Sequence, residues 1–148
     1  SSLEDMGLAL AIQRAAESAA ARFKLNLTLD LKNPMPSLSP DVEQTIYRIA
    51  QEAIENIVNH SRAKNFSLLL ESNGHTTLTI QDDGIGFDPV AAQGGGGLGL
   101  RSIAERVKQL DGTLRVESTP GGGTTLQVMV KTHLVVAQPQ AADRLRPS

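Results

Sequence analysis

Apolar residues recur at three- and four-residue steps in three stretches of the chain, and this spacing is typical of amphipathic helices. The first stretch runs from Leu8 to about Lys24. The second starts at Pro40, directly after a serine that can cap a helix, and continues to about Ser61. The third starts near Leu98, after a run of glycines. The pattern therefore predicts three helices.

Strands are indicated where every second residue is apolar, as in Leu25–Leu31. Phe66–Leu70 and Thr76–Ile80 are joined by an Asn-Gly turn and predict a hairpin, and Thr113–Glu117 and Thr124–Val130 predict another. Helices interrupt the strands without alternating strictly with them. This order predicts an α+β fold, a two-layer α/β sandwich whose mixed, mostly antiparallel sheet is covered on one face by helices.

Length and composition indicate one globular domain. The chain has 148 residues, of which 40% are hydrophobic and 20% charged, a balance found in proteins with one packed core. The periodic pattern ends near His133. We therefore expect one domain over residues 1–133, with a lead-in helix within 1–24, and a flexible tail over 134–148.

Composition also limits the class of function. A chain without cysteine forms neither a disulfide nor a thiolate metal site. No apolar run approaches the roughly 20 residues of a membrane-spanning helix, so we expect no membrane contact and a cytoplasmic location. A formal net charge of −2 and only 3% aromatic residues disfavour nucleic acid as a partner.

Glycine is concentrated in three clusters, at Gly84 and Gly86, at 94–97 with Gly99, and at 121–123. Glycine lets the backbone approach a ligand closely. The middle cluster satisfies G-x-G-x-x-G, but a proline-containing loop precedes it where the dinucleotide fingerprint requires a strand. A P-loop is excluded because no Gly-Lys-Ser or Gly-Lys-Thr follows. Two interpretations remain, a phosphate-contacting lid and a plain glycine linker.

Two polar pairs are candidates for chemistry. Glu52 and Asn56 are four residues apart and share a helix face, where they could serve Mg²⁺ or orient a reacting proton, or could simply be solvated. His60 continues that row and stays unassigned. Asp82 and Asp83 follow a strand at a glycine turn, where one carboxylate could accept a hydrogen bond from a ligand amine; an ordinary acidic turn is the alternative.

In this order and spacing, the three segments resemble the N, G1 and G2 boxes of the GHKL superfamily, the ATP-binding fold of sensor histidine kinases, gyrase, Hsp90 and MutL. RIAQEAIENIVNHSRA is similar to the N box of sensor histidine kinases of the nitrate/nitrite-sensor and DesK type. DDGIGFD is similar to G1, and GGGGLGLRSIAERV to G2. The resemblance covers residues 3 to 131 approximately and implies the Bergerat fold.

The resemblance also implies roles for single residues. Asn56 would ligate the Mg²⁺ that bridges the ATP phosphates, and Glu52 would be catalytic, polarising the attacking nucleophile or its water. Asp82 would accept a hydrogen bond from the adenine amino group, and Thr124 would lie beside it. Gly84 and Gly86 would leave room for the base. The ATP lid and its phosphate contacts would come from Gly95, Gly97, Leu98, Gly99 and Leu100.

The implied function is that of the catalytic domain of a sensor histidine kinase, with ATP and Mg²⁺ as substrate and cofactor. Its partners would be a dimerisation domain carrying the phosphoacceptor histidine and, through it, a response regulator. None of His60, His75 and His133 has the family's phosphoacceptor context. Asn59 stands where many relatives have a basic residue, so that phosphate contact is missing or comes from elsewhere. Alternatives are an anti-sigma-factor-type serine kinase and a non-catalytic adenylate-sensing module.

Overall fold

The computed structural model describes residues 7–31, 38–88 and 100–131. Three α-helices and five strands occur within these ranges, and a π-helical turn continues the second helix. The helices are α1 (Leu8–Phe23), α2 (Pro40–Asn56) and α3 (Leu100–Gln109), and the π-helical turn is Ile57–Ser61. The strands are β1 (Asn26–Leu31), β2 (Asn65–Ser72), β3 (His75–Asp82), β4 (Thr113–Ser118) and β5 (Thr124–Lys131).

The strands form one five-stranded sheet in the order β1-β2-β3-β5-β4. β1 runs parallel to β2, and the remaining neighbours are antiparallel. The predicted α+β sandwich with a mixed, mostly antiparallel sheet is therefore confirmed. Both hairpins are longer than the alternation of apolar residues indicated, because polar residues at the strand ends still pair across the sheet.

The long helix α2 begins as its sequence predicts. Ser39 caps it, because its Oγ accepts a hydrogen bond from the Val42 backbone N–H at 3.3 Å, and Pro40 occupies the first turn. Its apolar stripe, which includes Ile46 and Ile49, is buried in the core that it shares with the sheet and with α1 and α3. This packing fixes the polar face of α2 relative to the ends of the central strands.

A π-helical turn follows the end of α2. Residues 57–61 form a π-helical turn, which Ser61 terminates by donating its hydroxyl hydrogen to the Ile57 carbonyl at 2.7 Å and accepting from the Ala63 N–H at 3.0 Å. Arg62 then takes a left-handed conformation with φ of 58°. π-Helical turns are frequent at functional sites.

Several predictions concern residues outside the described ranges. These are the lid residues Gly95, Gly97, Leu98 and Gly99, and the tail at 134–148. The third helix is described from Leu100 onward. Within the described ranges, each helix is too short or too polar to cross a membrane.

Candidate functional site

A cavity of about 330 Å³ lies between the end of α2, the π-helical turn and the strands β3 and β5. Its volume is within the range of small-molecule sites, and its wall is mainly apolar with a few polar groups, as is usual for such sites. The lining residues are Ala53, Asn56, Ile57, His60, Ser61, Ile80, Asp82, Ile85, Gly86, Phe87, Leu100, Thr124 and Leu126.

Five residues proposed from the sequence line this one cavity, although they come from segments far apart in the chain. They are Asn56, Asp82, Gly86, Leu100 and Thr124. Two others, Glu52 and Gly84, are not among the lining residues. The fold therefore brings the polar row of α2 and the acidic turn after β3 to a common site.

Asp82 ends β3 and is the buried acid of the cavity, with 8% of its surface exposed. Its Oδ1 accepts a hydrogen bond from the Gly84 N–H at 2.8 Å. Burial raises the pKa of Asp82; the Gly84 N–H opposes this shift and the charge of Asp83 adds to it. A carboxylate with two oxygens can still accept a further hydrogen bond from a ligand amine.

The adjacent residue Asp83 forms hydrogen bonds within the protein. Its Oδ2 accepts from the Asn65 side chain at 2.6 Å, and its Oδ1 accepts from the backbone N–H groups of Lys64 and Asn65 at 3.0 Å. The Asn65 side chain, followed by these backbone donors, lowers the pKa of Asp83. Of the two acids, only Asp82 borders the cavity, while Asp83 ties the turn to the start of β2.

Thr124 faces Asp82 across the β3–β5 pairing and belongs to a hydroxyl network. The Ser118 Oγ accepts from the Phe87 N–H at 2.9 Å, donates to the Gly123 carbonyl at 2.8 Å, and lies 2.9 Å from the Thr124 Oγ1. Because the single hydroxyl hydrogen of Ser118 goes to Gly123, Thr124 is the donor of the third bond. Its oxygen lone pairs remain available to accept at the cavity.

Gly84 and Gly86 are required by close packing within the protein. A Cβ at Gly84 would overlap the Ser61 backbone and lie 2.6 Å from the Ser61 Cβ. Gly86 has φ of 65°, and a Cβ there would overlap the Thr119 carbonyl oxygen. The family resemblance predicts that both glycines leave room for the adenine base. In the structure Gly84 lets the acidic turn pack against the π-helical turn, and Gly86 also borders the cavity.

Some cavity residues have no role that the sequence pattern predicts. His60 lines the cavity from the π-helical turn, and Ile85 and Phe87 line it from the segment after β3. Ile85 is 51% exposed, while its N–H donates to the Ser61 carbonyl at 2.7 Å. The four-residue row from Asn56 pointed to His60. No simple sequence signal distinguished Ile85 and Phe87 from an ordinary apolar loop.

Glu52 lies one helical turn before Asn56 and contacts α3. Its Oε2 accepts from the Ser102 Oγ at 3.1 Å and from the Arg106 Nε and Nη2 at 3.3 Å. The two charged side chains are 28% and 27% exposed, so this ion pair is partly shielded from water. Of these two polar residues of α2, Asn56 therefore borders the cavity, whereas Glu52 contacts α3.

Comparison with known proteins places this geometry in a family. Residues 41–134 match the family of histidine kinase-, DNA gyrase B- and HSP90-like ATPases. The chain belongs to this family. The matched range contains the long helix, the acidic turn, the Gly-rich segment and the closing hairpin, so it includes every element that borders the cavity of this ATPase-family domain.

Relatives with curated names are sensor histidine kinases. The chain is 32% identical over 133 residues to the sensor histidine kinase MctS of Rhizobium johnstonii, and this match covers 88% of the chain and 29% of MctS. It is 33% identical over 131 residues to the sensor histidine kinase ComP of Bacillus subtilis, covering 87% of the chain and 17% of ComP. The chain thus spans less than a third of the length of either relative.

A solved structure has the same architecture. The ATP-binding domain of PrrB from Mycobacterium tuberculosis superimposes with a TM-score of 0.68 at 25% sequence identity. The match covers 82% of this chain and 91% of that structure. The sandwich described above is therefore the ATP-binding fold of this family.

The residues at the cavity fit a magnesium ion that arrives with a nucleotide. Mg²⁺ prefers oxygen ligands, keeps several waters, and commonly takes one or two protein ligands together with substrate phosphates. Asn56 offers a neutral carboxamide oxygen at the cavity wall. Within the described ranges no group of three or more His, Cys, Asp or Glu residues is placed to hold a metal ion.

Proposed function

We propose that this chain is the ATP-binding catalytic domain of a sensor histidine kinase. It binds Mg-ATP and transfers the γ-phosphoryl group to a histidine on a dimerisation domain, from which a response regulator receives it. The observation that carries the proposal is the single cavity at which the buried carboxylate of Asp82 and the carboxamide of Asn56 meet. The curated names of the relatives support the acceptor class.

Asp82 recognises the purine. The exocyclic amino group of adenine is a hydrogen-bond donor, and a carboxylate in a mainly apolar cavity is a matching acceptor. Thr124 supplies a second acceptor beside it, because its hydroxyl hydrogen is engaged by Ser118. The apolar side chains of Ile80, Ile85 and Leu126 provide the surface against which the base packs.

Asn56 and the start of α3 act on the phosphates. The Asn56 carboxamide oxygen would hold Mg²⁺, which would supply positive charge against the negative charge of the ATP phosphates. Leu100 begins α3 at the cavity, and a helix N-terminus favours anions. The preceding residues Gly95, Gly97, Leu98 and Gly99 are proposed to contact the phosphates as a lid.

Glu52 acts on the nucleophile. In phosphoryl transfer the protein does little covalent chemistry, so catalysis depends mainly on the positioning of the reacting groups and on electrostatic stabilisation. A carboxylate one helical turn from the metal ligand Asn56 can accept a proton from the attacking group.

The cytoplasm, where ATP and response regulators occur together, is the location that we propose for the domain.

The chemistry of the product tests the acceptor class. The chain is incubated with ATP labelled at the γ-phosphate and a purified dimerisation domain that carries a phosphoacceptor histidine. The expected label is acid-labile and alkali-stable, as for phosphohistidine, and it is absent with Glu52→Gln. An acid-stable label on serine would instead support a serine kinase. Equal binding of ADP and ATP without transfer would support an adenylate-sensing module.

A further inference from the structure

The carboxylate of Glu52 is held by only one of its two oxygens. Oε2 receives all three hydrogen bonds, one from the Ser102 Oγ and two from the Arg106 Nε and Nη2. Oε1 is buried and has no hydrogen-bonding partner among the residues that the structure describes. The two oxygens of one carboxylate therefore have opposite environments.

This arrangement is unusual for an arginine and a carboxylate. In the common fork-to-fork pair, two parallel N–H groups reach two different oxygens, and both oxygens are satisfied. Here both Arg106 donors converge on Oε2, which leaves the lone pairs of Oε1 unused. A buried acceptor without a donor costs stability, so this asymmetry calls for a group that donates to Oε1 during function.

We propose that Arg106 and Ser102 are positioning residues for Glu52, a role that rests on the proposed function. By holding Oε2 they fix the rotamer of the side chain one helical turn before Asn56, a residue of the cavity wall, and leave Oε1 as the oxygen that can accept from the nucleophile. Ser102 lies two residues after Leu100, the first residue of α3 and part of the cavity wall. The placement of α3 therefore couples the phosphate end of the cavity to the orientation of Glu52.

The step can be written with water as the nucleophile. The water oxygen forms a bond to the γ-phosphorus, and the bond from that phosphorus to the β–γ bridging oxygen breaks, its electron pair leaving with ADP. One water proton passes to Glu52 Oε1 and then to solvent. The products are ADP and inorganic phosphate. An N–H of an attacking imidazole would donate to the same oxygen, so slow hydrolysis reports on the same positioning.

Single-turnover hydrolysis by the 148-residue chain tests the proposal. The variants are Arg106→Gln, Arg106→Lys and Ser102→Ala, with Glu52→Gln as the reference for loss of the acceptor. Lys108→Gln is the matched control, because Lys108 is an exposed cation on the same helix. Affinity for Mg-ATP is measured by calorimetry and the melting temperature by calorimetric scanning on each variant.

Misplacing a catalytic group without removing it lowers the rate more than the affinity. We expect Arg106→Gln to lower the hydrolysis rate about 10- to 100-fold with an affinity within about threefold of the parent chain. Ser102→Ala removes one of the three donors to Glu52 Oε2, so its hydrolysis rate should fall less. Arg106→Lys retains a cationic donor and recovers part of the rate. Lys108→Gln remains at the rate of the unaltered chain.

Three results would overturn the positioning role. One is a rate within about twofold of Lys108→Gln for both Arg106→Gln and Ser102→Ala. Another is a parallel fall in melting temperature and affinity that accounts for the lost rate. The third is Mg-ATP binding with no Glu52-dependent hydrolysis in the unaltered chain. Failure of the nucleotide-binding function on which this role rests is distinguishable, because it appears as absence of Mg-ATP binding itself, and a different phosphoacceptor appears only in the labelling experiment.

A spectroscopic measurement gives a readout independent of turnover. A hydrogen-bonded arginine Nε–H exchanges slowly with water and gives a distinct guanidinium signal in nitrogen–proton NMR spectra. The Arg106 signal should be present in the unaltered chain and in Ser102→Ala, and lost in Glu52→Ala. Persistence of the signal in Glu52→Ala would contradict the contact on which the inference depends.

Discussion

Asp82 and Thr124 face each other across the β3–β5 pairing, and both border the same cavity. Ser118, at the end of β4, pairs with Thr124 from the other side and bonds to its hydroxyl group. Three adjacent strand ends therefore set the distance between a carboxylate and a hydroxyl. Preorganised polar groups of this kind select a ligand by the pattern of its donors and acceptors.

Asp82→Asn should stabilise the fold. Burial raises the pKa of Asp82 above its ordinary value of 3.8, so the folded state disfavours the ionised form. The stability associated with this group is fully present below the ordinary pKa and is lost as the pH rises through the raised value. Asparagine keeps an oxygen for the Gly84 N–H. Urea unfolding at pH 7 should show a higher midpoint for Asp82→Asn, and a lower midpoint would contradict this account.

Asp83→Asn should destabilise the fold, in contrast to Asp82→Asn. Hydrogen bonds from Asn65 and Lys64 lower the pKa of Asp83, so its stabilising effect is present above pH 3.8 and is lost as the pH falls through the lowered value. The substitution should lower the unfolding midpoint at pH 7 and should have little effect in strong acid. An equal difference at both pH values would assign the effect to packing instead.

Gly84→Ala should be costly although alanine is the smallest change available. The added methyl group would meet the Ser61 backbone, which the π-helical turn and the Ile85 N–H hold in place. Overpacking of this kind costs about 1–3 kcal/mol. Gly122→Ala is the control, because its methyl group would meet the rotatable Thr119 hydroxyl. Chemical denaturation should separate the two variants, and equal stabilities would contradict the packing role of Gly84.

Ser118→Ala should loosen the cavity wall. Its hydroxyl group joins Phe87, Gly123 and Thr124, so its loss removes three bonds in a partly buried network. The free energy of unfolding should fall by about 1–3 kcal/mol. Nucleotide affinity should also fall, since Phe87 and Thr124 line the cavity. Ser67→Ala, at a half-buried serine of β2, is the control for stability and for affinity.

Asn56→Ala should remove the effect of Mg²⁺ on nucleotide binding. The affinity measured with Mg²⁺ should fall to the value measured in chelator, while the value in chelator stays unchanged, because the carboxamide acts through the metal. Gln44→Ala, an exposed amide on the same helix, should retain the difference. A magnesium effect that survives in Asn56→Ala would assign the metal to other ligands.

The fold could be predicted from the sequence because its signals are local. Alternating leucines in β1, the Asn-Gly turn between β2 and β3, and the Ser-Pro start of α2 each specify one element. The parallel pairing of β1 with β2 depends on tertiary packing, so no local pattern encodes it. The π-helical turn likewise depends on Ser61 and the packing of Gly84 against it.

The candidate site was predictable where chemistry and spacing coincide. Asn56 and Asp82 carry polar groups at positions that the family boxes mark, and both border the cavity. The contact of Glu52 with Arg106 joins residues 54 positions apart, which the periodicity of one helix does not reveal. The separate tasks of Asp82 and Asp83 depend on the direction in which each side chain leaves the turn.

The most direct test of the central claim is a calorimetric titration of the chain with ATP, in Mg²⁺ and in chelator. The account predicts one site whose affinity Mg²⁺ increases and which Asp82→Asn abolishes. Asp111→Asn is the matched control, because Asp111 is exposed and its left-handed conformation suits asparagine equally well. Undiminished ATP binding by Asp82→Asn would contradict the claim that this cavity holds the adenine.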